Sequence, residues 1–241
     1  MLTEYFPLTL IINLERRKDR RRETLRELRR HGLIHESVRF FKAHETRDHH
    51  GFKTAGAAGC FFSHLSCLRE ARKKNIDILI LEDDVSFEPG ITQIDEKLLL
   101  SKDWDILFFG YRGPETDGNE ALSLVPVTEN LQQTHCYAVK AQSLDKLISF
   151  LEAILKRAPG DPLGGPMHYD GALNTLRIQT QAKVFRTSMN LASQRLSETD
   201  IHEKRFWDTL PAIRPFTRAY RQIRQALISA RKSPRGRQQT R

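Results

Sequence analysis

The chain has 241 residues, and its 39 basic residues exceed its 30 acidic residues to give a formal net charge of +9. Hydrophobic residues make up 39% of it and the mean hydropathy is −0.52, which predicts a water-soluble protein, since a membrane-spanning helix needs about 18 or more consecutive apolar residues. Three scattered cysteines are too few for a disulfide framework, and they indicate reduced thiols in a cytoplasmic protein.

In chain order the pattern alternates between strands and helices. We expect strands at 8–14, 38–43, 76–81, 105–109 and 182–185, a pair of strands at 122–127 and 134–139, and helices at 16–31, 57–74, 143–155 and 170–177. This alternation favours an α/β fold.

The positive charge is concentrated at the end of the chain. Residues 211–241 hold nine basic residues and no acidic one, so residues 1–210 hold 30 of each sign. Four apolar residues recur there at helical spacing: Phe216, Tyr220, Ile223 and Leu227. We predict a domain at 1–210 followed by a basic amphipathic helix and a disordered tail at 211–241 that contacts an anionic membrane surface. A helix docked on the domain and a solvated tail remain open alternatives.

The most informative segment is an apolar run, Ile78–Leu81, followed by Glu82, Asp83 and Asp84. The run predicts a strand buried on both faces, as in a parallel sheet, and ligands bind at the carboxyl ends of such strands. Because side chains alternate along a strand, Glu82 and Asp84 are expected on one face and Asp83 on the other. A hard divalent cation with oxygen ligands relieves the repulsion between the two carboxylates. The segment therefore predicts a metal site that serves a phosphate, with a plain acidic turn as the alternative.

Four segments in order resemble glycosyltransferase family 25. They are IINLERRKDR at 11–20, FFKAHE at 40–45, AGCFFSHLSCL at 58–68 and ILILEDDVSF at 78–87. Weaker similarity follows in THCYAV at 134–139, in HYDGAL at 168–173 and in the residues from Gln194 to Ile201. The family comprises lipopolysaccharide and lipooligosaccharide glycosyltransferases, which are relatives of collagen galactosyltransferases.

The resemblance implies a GT-A-like fold, in which a mixed sheet flanked by helices binds a nucleotide sugar. It also implies a UDP-sugar donor, often UDP-galactose, a Mn²⁺ or Mg²⁺ ion, and an inverting transfer to a sugar acceptor such as lipopolysaccharide or a related oligosaccharide. With a lipid-anchored acceptor, we expect a cytoplasmic protein associated with the inner face of the cytoplasmic membrane, and no nucleic-acid partner.

In this family the acidic triplet takes the place of an Asp-x-Asp motif. Glu82 and Asp84 are accordingly the candidate metal ligands, with Asp84 as the preferred direct ligand. Asp83 is a candidate for contact with the donor. The alternatives are an N-cap or a turn acid.

Basic and amide side chains after the first strand are further candidates for the donor. Asn13, Arg16 and Arg20 follow that strand, and a guanidinium group matches the oxygens of a diphosphate. Solvated helix surface and ion pairs along the helix are the alternative roles.

The segment 58–68 places small and polar residues at the start of a helix, where phosphate binding is favoured. Gly59, Ser63 and His64 are therefore candidates for contact with the donor. A glycine at a helix entry and a buried, hydrogen-bonded histidine are equally open alternatives. Cys60 is expected to belong to the core.

Asp170 matches a later aspartate of the family. An inverting transferase needs a carboxylate that takes the proton from the acceptor hydroxyl, and Asp170 is the candidate base. The alternative is an N-cap of the helix that follows. Two other functions remain open: a noncatalytic nucleotide-sugar-binding protein, and a nucleic-acid-binding protein that uses the basic tail.

Overall fold

The computed structural model describes residues 1–113 and 121–195. The predicted basic helix and tail at 211–241, and with them the predicted domain boundary, lie outside the described residues. The described helices are α1 (Lys18–Arg30), α2 (Ala55–Lys74), α3 (Glu96–Leu100), α4 (Leu144–Leu155) and α5 (Tyr169–Thr180). The described strands are β1 (Leu8–Asn13), β2 (Val38–Lys42), β3 (Ile78–Glu82), β4 (Val85–Phe87), β5 (Ile106–Arg112), β6 (Leu124–Pro126), β7 (Gln132–Val139), β8 (Val184–Thr187) and β9 (Ala192–Gln194).

The described strands form one mixed sheet in the order β2-β1-β3-β7-β5-β8-β6, and β9 joins β4 to β5 at one end. β1 runs parallel to β2 and to β3, whereas β7 is antiparallel to both β3 and β5. The buried run at Ile78–Leu81 therefore lies between one parallel and one antiparallel neighbour, so its likeness to a parallel-sheet strand holds for the β1 side alone.

Apolar side chains from alternate positions of the central strands fill a core on each face of the sheet. Ile78 and Ile80 of β3 pack in the cluster that includes residues of α2, α4 and α5. Leu79 and Leu81 pack in the opposite cluster, which includes Leu28 of α1. Helices thus cover both faces, and the predicted α/β class, a mixed sheet flanked by helices, is confirmed for the described residues.

The predicted pairing of the strands at 122–127 and 134–139 is wrong. β7 is paired on both sides by β3 and β5, and β6 instead pairs with β8. The reason is burial: from Thr134 to Val139 every residue of β7 is buried, which suits a central strand, whereas β6 has one buried residue and lies at the edge.

Helix α2 has clear signals at both of its ends and a row of buried residues between them. The Thr54 hydroxyl accepts a hydrogen bond from the Ala57 amide as an N-cap, and Asn75 ends the helix in the left-handed conformation at φ 52°. Between these ends Ala57, Phe61, Leu65 and Leu68 are buried. Among the described residues, no helix is both long and apolar enough to cross a membrane.

Candidate functional site

The acidic triplet lies at the carboxyl end of β3, where the chain turns into β4. Glu82 is the last residue of β3 and points toward α2, and Asp83 points toward α1, as their contacts show. The predicted alternation is therefore confirmed for these two residues. Asp84 does not continue it, because the strand has ended and the chain turns at Asp83–Asp84. Alternation along a strand therefore does not determine the direction of the Asp84 side chain.

Asp83 is held by partners on every side. Its two carboxylate oxygens accept hydrogen bonds from Asn13 Nδ2 at 2.7 Å and from Arg20 Nη1 at 2.8 Å. Its backbone oxygen accepts hydrogen bonds from Thr24 Oγ1 at 2.6 Å and from Arg195 at 2.7 Å. Burial raises the pKa of Asp83, although Arg20 and Asn13 favour its charged form. These contacts fix the acidic turn, and contact of Asn13, Arg20 and Asp83 with a donor stays a prediction.

Asp84 is much less satisfied. Its Oδ2 accepts a hydrogen bond from Gln194 Nε2 at 3.0 Å and lies 3.4 Å from Arg20 Nη1. Its Oδ1 is buried and has no hydrogen-bond partner among the described residues. Burial, and then the negative charge of Glu82, raise the pKa of Asp84 to about 7. A buried carboxylate with an oxygen left over fits a cation, so the oxygen donors of Asp84 and Glu82 suit the Mn²⁺ or Mg²⁺ ion that the resemblance implies.

Glu82 is supported from α2 and from β7. Thr134 Oγ1 donates a hydrogen bond to Glu82 Oε1 at 3.0 Å, and His64 Nε2 lies 3.4 Å from the same oxygen. Burial opposes the charged form of Glu82, but His64 and Thr134 outweigh it, and the pKa of Glu82 lies below its usual value. Glu82 is thus an ionised carboxylate at the edge of the buried face.

Gly59 and Ser63 hold α2 against the preceding loop. A Cβ atom at Gly59 would lie 2.6 Å from the backbone oxygen of His44. Ser63 Oγ accepts a hydrogen bond from the His44 amide at 2.8 Å and donates one to the Gly59 oxygen at 2.6 Å. Close packing explains both residues without a ligand, and contact of either with a donor stays a prediction.

His64 is fully buried, with 0% exposure. Its ring stacks on Tyr169 with centroids 4.2 Å apart, and Nδ1 lies 3.0 Å from the hydroxyl of Tyr137. The open alternative of a buried, hydrogen-bonded histidine describes this environment. Its Nε2 atom contacts Glu82 of the acidic turn at 3.4 Å.

Asp170 is connected to Asp84 through two glutamines. The backbone N–H of Gln133 donates a hydrogen bond to Asp170 Oδ2 at 3.1 Å, and the backbone N–H of Gly171 donates one to Asp170 Oδ1 at 2.7 Å. Gln133 Nε2 donates to Gln194 Oε1 at 3.1 Å, and Gln194 in turn donates to Asp84. Asp170 therefore lies on the same side of the molecule as the acidic turn. The N-cap alternative is wrong, because α5 begins at Tyr169 with His168 as its N-cap.

Four residues of this arrangement were not among the predicted site residues: Gln133, Thr134, Gln194 and Arg195. Thr134 and Gln194 fall in the weaker segments of family similarity, which is the signal that was available. Gln133 has a φ of 70°, a left-handed conformation that is uncommon for a residue other than glycine, and nothing in a single sequence indicates it.

Arg16 forms an ion pair near the end of β1. Its Nε lies 3.5 Å from Glu45 Oε2, and the side chains of both residues are about half exposed. An exposed guanidinium group near the end of β1 is compatible with the predicted donor contact, which stays a prediction.

Three carboxylates give the region a negative character that extends to the start of α2. The pKa of the Cys60 thiol is raised well above its usual value, first by burial and then by the charges of Glu82, Asp170 and Asp84. The cluster therefore favours a cation or a proton donor. An anion such as a phosphate would bind here only with a cation between it and the carboxylates.

Comparisons with known proteins fit this geometry. Residues 48–117 match the model of the family described as "Glycosyltransferase family 25 (LPS biosynthesis protein)", a stretch that contains Gly59, His64 and the acidic triplet. The chain is similar to a glycosyltransferase 25 family member of Drosophila melanogaster, at 29% identity over 64% of this chain. It is also similar to procollagen galactosyltransferase 2 of Mus musculus, at 29% identity over 59% of this chain.

The aligned regions span 28% and 27% of the lengths of these two relatives. A solved structure of a glycosyltransferase involved in the glycosylation of the major capsid of PBCV-1 has a TM-score of 0.49 and 12% identity, covering 80% of this chain and 93% of that one. The family match and the curated relatives together confirm the resemblance of this chain to glycosyltransferase family 25.

Proposed function

We propose that this protein is a glycosyltransferase that moves a hexose from a nucleotide sugar to a sugar acceptor. The single observation that carries the proposal is the acidic turn in a chain with this family resemblance. Its Asp83 is fully held, whereas the buried Oδ1 of Asp84 has no hydrogen-bond partner among the described residues. A buried carboxylate oxygen without a partner is costly in a purely structural turn, and a ligand at the site accounts for it.

We propose further that Glu82 and Asp84 hold a divalent cation, Mn²⁺ or Mg²⁺. Such an ion neutralises the charge that develops on a departing diphosphate. Thr134 and His64 orient Glu82, and Gln194 orients Asp84, so the carboxylates are positioned before any ion arrives.

The donor in this proposal is a UDP-sugar, most simply UDP-galactose, in keeping with the name of the mouse relative. Arg16, with its half-exposed guanidinium group, is the residue that we assign to the diphosphate. Arg20 and Asn13 contribute through Asp83, since they fix the turn on which the neighbouring carboxylates stand.

Asp170 is the proposed base of an inverting transfer, which takes the proton of the acceptor hydroxyl as that oxygen attacks the anomeric carbon. Two backbone amides hold both of its oxygens. These two contacts fix the carboxylate in place, as a group that must meet the acceptor hydroxyl requires.

For the acceptor we propose lipopolysaccharide or a related oligosaccharide, with the protein in the cytoplasm and its basic segment at 211–241 on the inner membrane surface. The support is the family description and the charge distribution of the sequence.

Calorimetric titration of UDP into the full chain, with and without Mn²⁺, tests the proposal. We expect binding that depends on Mn²⁺, is lost in Asp84→Asn and is kept in Asp161→Asn, a control carboxylate in the loop after α4. No binding from folded protein in either condition contradicts a nucleotide-sugar site.

Turnover separates the enzyme from a noncatalytic nucleotide-sugar-binding protein. Release of UDP from UDP-galactose in the presence of a lipooligosaccharide acceptor supports transfer. Tight UDP binding without any transfer from a panel of UDP-sugars and acceptors supports the noncatalytic alternative.

A further inference from the structure

Three potential metal ligands of different chemistry lie close together where the first half of α2 packs near the carboxyl end of β3. Cys60, His64 and Glu82 each offer one ligand atom, and these atoms all lie within 4.8 Å of one another. Cys60 and His64 are four residues apart on α2, so one face of the helix presents both. A tetrahedral zinc ion places its donor atoms about 3.5 Å apart, which small side-chain movements would achieve here.

His64 presents its Nε2 atom toward Glu82. The side chain is fully buried, and its Nε2 has no hydrogen-bond partner among the described residues, with Glu82 Oε1 at 3.4 Å as its nearest ion-pairing atom. Nδ1 is occupied by the hydroxyl of Tyr137 at 3.0 Å, and stacking on Tyr169 fixes the ring plane. A histidine held through one nitrogen while the other points at acidic and sulfur ligands has the usual arrangement of a zinc ligand.

Glu82 is also held by a neighbouring side chain, as His64 is held by Tyr137. Thr134 donates a hydrogen bond to its Oε1 at 3.0 Å, so the carboxylate is oriented from behind. The side chain of Glu82 is 15% exposed, which leaves an approach for an ion from solvent. The negative charges of Asp84 and Asp170 nearby attract a cation.

We propose that Cys60, His64 and Glu82 form a binding site for a borderline divalent cation, with Zn²⁺ as the native class and Co²⁺ as its spectroscopic substitute. On binding, the Cys60 thiol releases its proton to solvent and the sulfur bonds to the ion. Three protein ligands leave a fourth position for water. This site shares Glu82 with the oxygen-only pair of the proposed function but adds a sulfur and a nitrogen ligand. It does not rest on that function, because metal content and spectra report it without turnover.

The test is anaerobic titration of Co²⁺ into the metal-stripped full chain. We expect one ion per chain, a thiolate-to-cobalt charge-transfer band, and intense visible bands typical of tetrahedral cobalt, all of which Zn²⁺ displaces. The band should vanish in Cys60→Ala and persist in Cys67→Ala, the matched control on the same helix, whose cysteine is fully buried in the core. Tyr137→Phe should weaken the affinity about 10–100-fold by removing the partner of Nδ1.

Three results overturn the inference: no retained Co²⁺ or Zn²⁺ in the wild type, binding without a thiolate band, or a thiolate band that survives in Cys60→Ala. Binding without the band assigns the ion to the carboxylates alone, which is the outcome that the proposed function predicts by itself. If Cys60→Ala does not fold, alkylation of the wild type replaces it. Zn²⁺ should then slow modification of Cys60 by iodoacetamide at least tenfold, and an unchanged rate contradicts the site.

Discussion

Asp83 and Asp84 are adjacent in the sequence but occupy opposite kinds of environment. Asp83 accepts hydrogen bonds from Asn13 and Arg20 through both carboxylate oxygens. Asp84 Oδ2 lies 3.4 Å from Arg20 Nη1. Its other oxygen, Oδ1, is buried and has no hydrogen-bond partner among the described residues. Adjacent acids in a run therefore do not form one functional unit. The fully partnered carboxylate stabilises the turn, and its less satisfied neighbour is the one available for a ligand.

Replacing Asp84 gives the largest expected effect. Asp84→Asn should lower kcat/KM for UDP-sugar turnover on the order of a thousandfold, about 4 kcal/mol, because the proposed cation loses a ligand. The free energy of unfolding should stay the same or rise, since an unsatisfied buried charge is removed. Steady-state kinetics and urea unfolding measure the two quantities.

The matched control for that change is its neighbour. Asp83→Asn should mainly lower the free energy of unfolding, because the buried Arg20 then loses its shorter ion pair, which measures 2.8 Å. If Asp83→Asn leaves stability intact and Asp84→Asn unfolds the protein, the assignment of roles to the two acids is reversed.

The second expected effect separates a buried arginine from an exposed one. Arg20→Met should cost about 3 kcal/mol of unfolding free energy, because the side chain is 9% exposed and its loss leaves Asp83 unpaired. Arg16→Met should cost less than about 1 kcal/mol, since the ion pair with Glu45 is half exposed. Arg16→Met should instead raise KM for the donor. Equal losses of stability in the two variants would contradict a stabilising role for the buried ion pair between Arg20 and Asp83.

The third effect concerns the proposed base. Asp170→Asn should lower kcat about a hundredfold, or about 2.7 kcal/mol. This is the lower end of the range for general bases. The affinity for UDP should not change. An Asp170→Asn enzyme with wild-type kcat excludes Asp170 as the base.

Local signals predicted most of the elements of the fold. The bounds of β1, α2 and α4 come within about two residues of the predicted ranges, because apolar periodicity and end signals are local properties of the sequence. The short elements β4, β9 and α3 were not predicted, since three to five residues carry too little pattern. The pairing of β7 depends on which faces are buried, and that is set by the whole sheet.

The site was predictable only in its position. A buried strand followed by three acids located the region, and the family resemblance added Asp170. The division of roles between Asp83 and Asp84 depends on Arg20 and Asn13, which are more than 60 residues away in the sequence. The grouping of Cys60, His64 and Glu82 was missed for the same reason, because the third member comes from another element.

The smallest expected effect is that of replacing Gln133, whose backbone conformation was not predicted from the sequence. At φ 70° a residue other than glycine pays roughly 1–2 kcal/mol, which Gln133→Gly relieves. Against this gain stand the entropy of a glycine in the unfolded chain and the lost hydrogen bond to Gln194, each about 1 kcal/mol. The net change in unfolding free energy should therefore lie within about 1 kcal/mol of zero. Gln132→Gly, the neighbour in β7, removes a side chain without relieving strain and should cost about 1 kcal/mol. A larger loss in Gln133→Gly than in Gln132→Gly would mean that the link from Asp170 to Asp84 through Gln194 stabilises the protein more than the backbone strain costs.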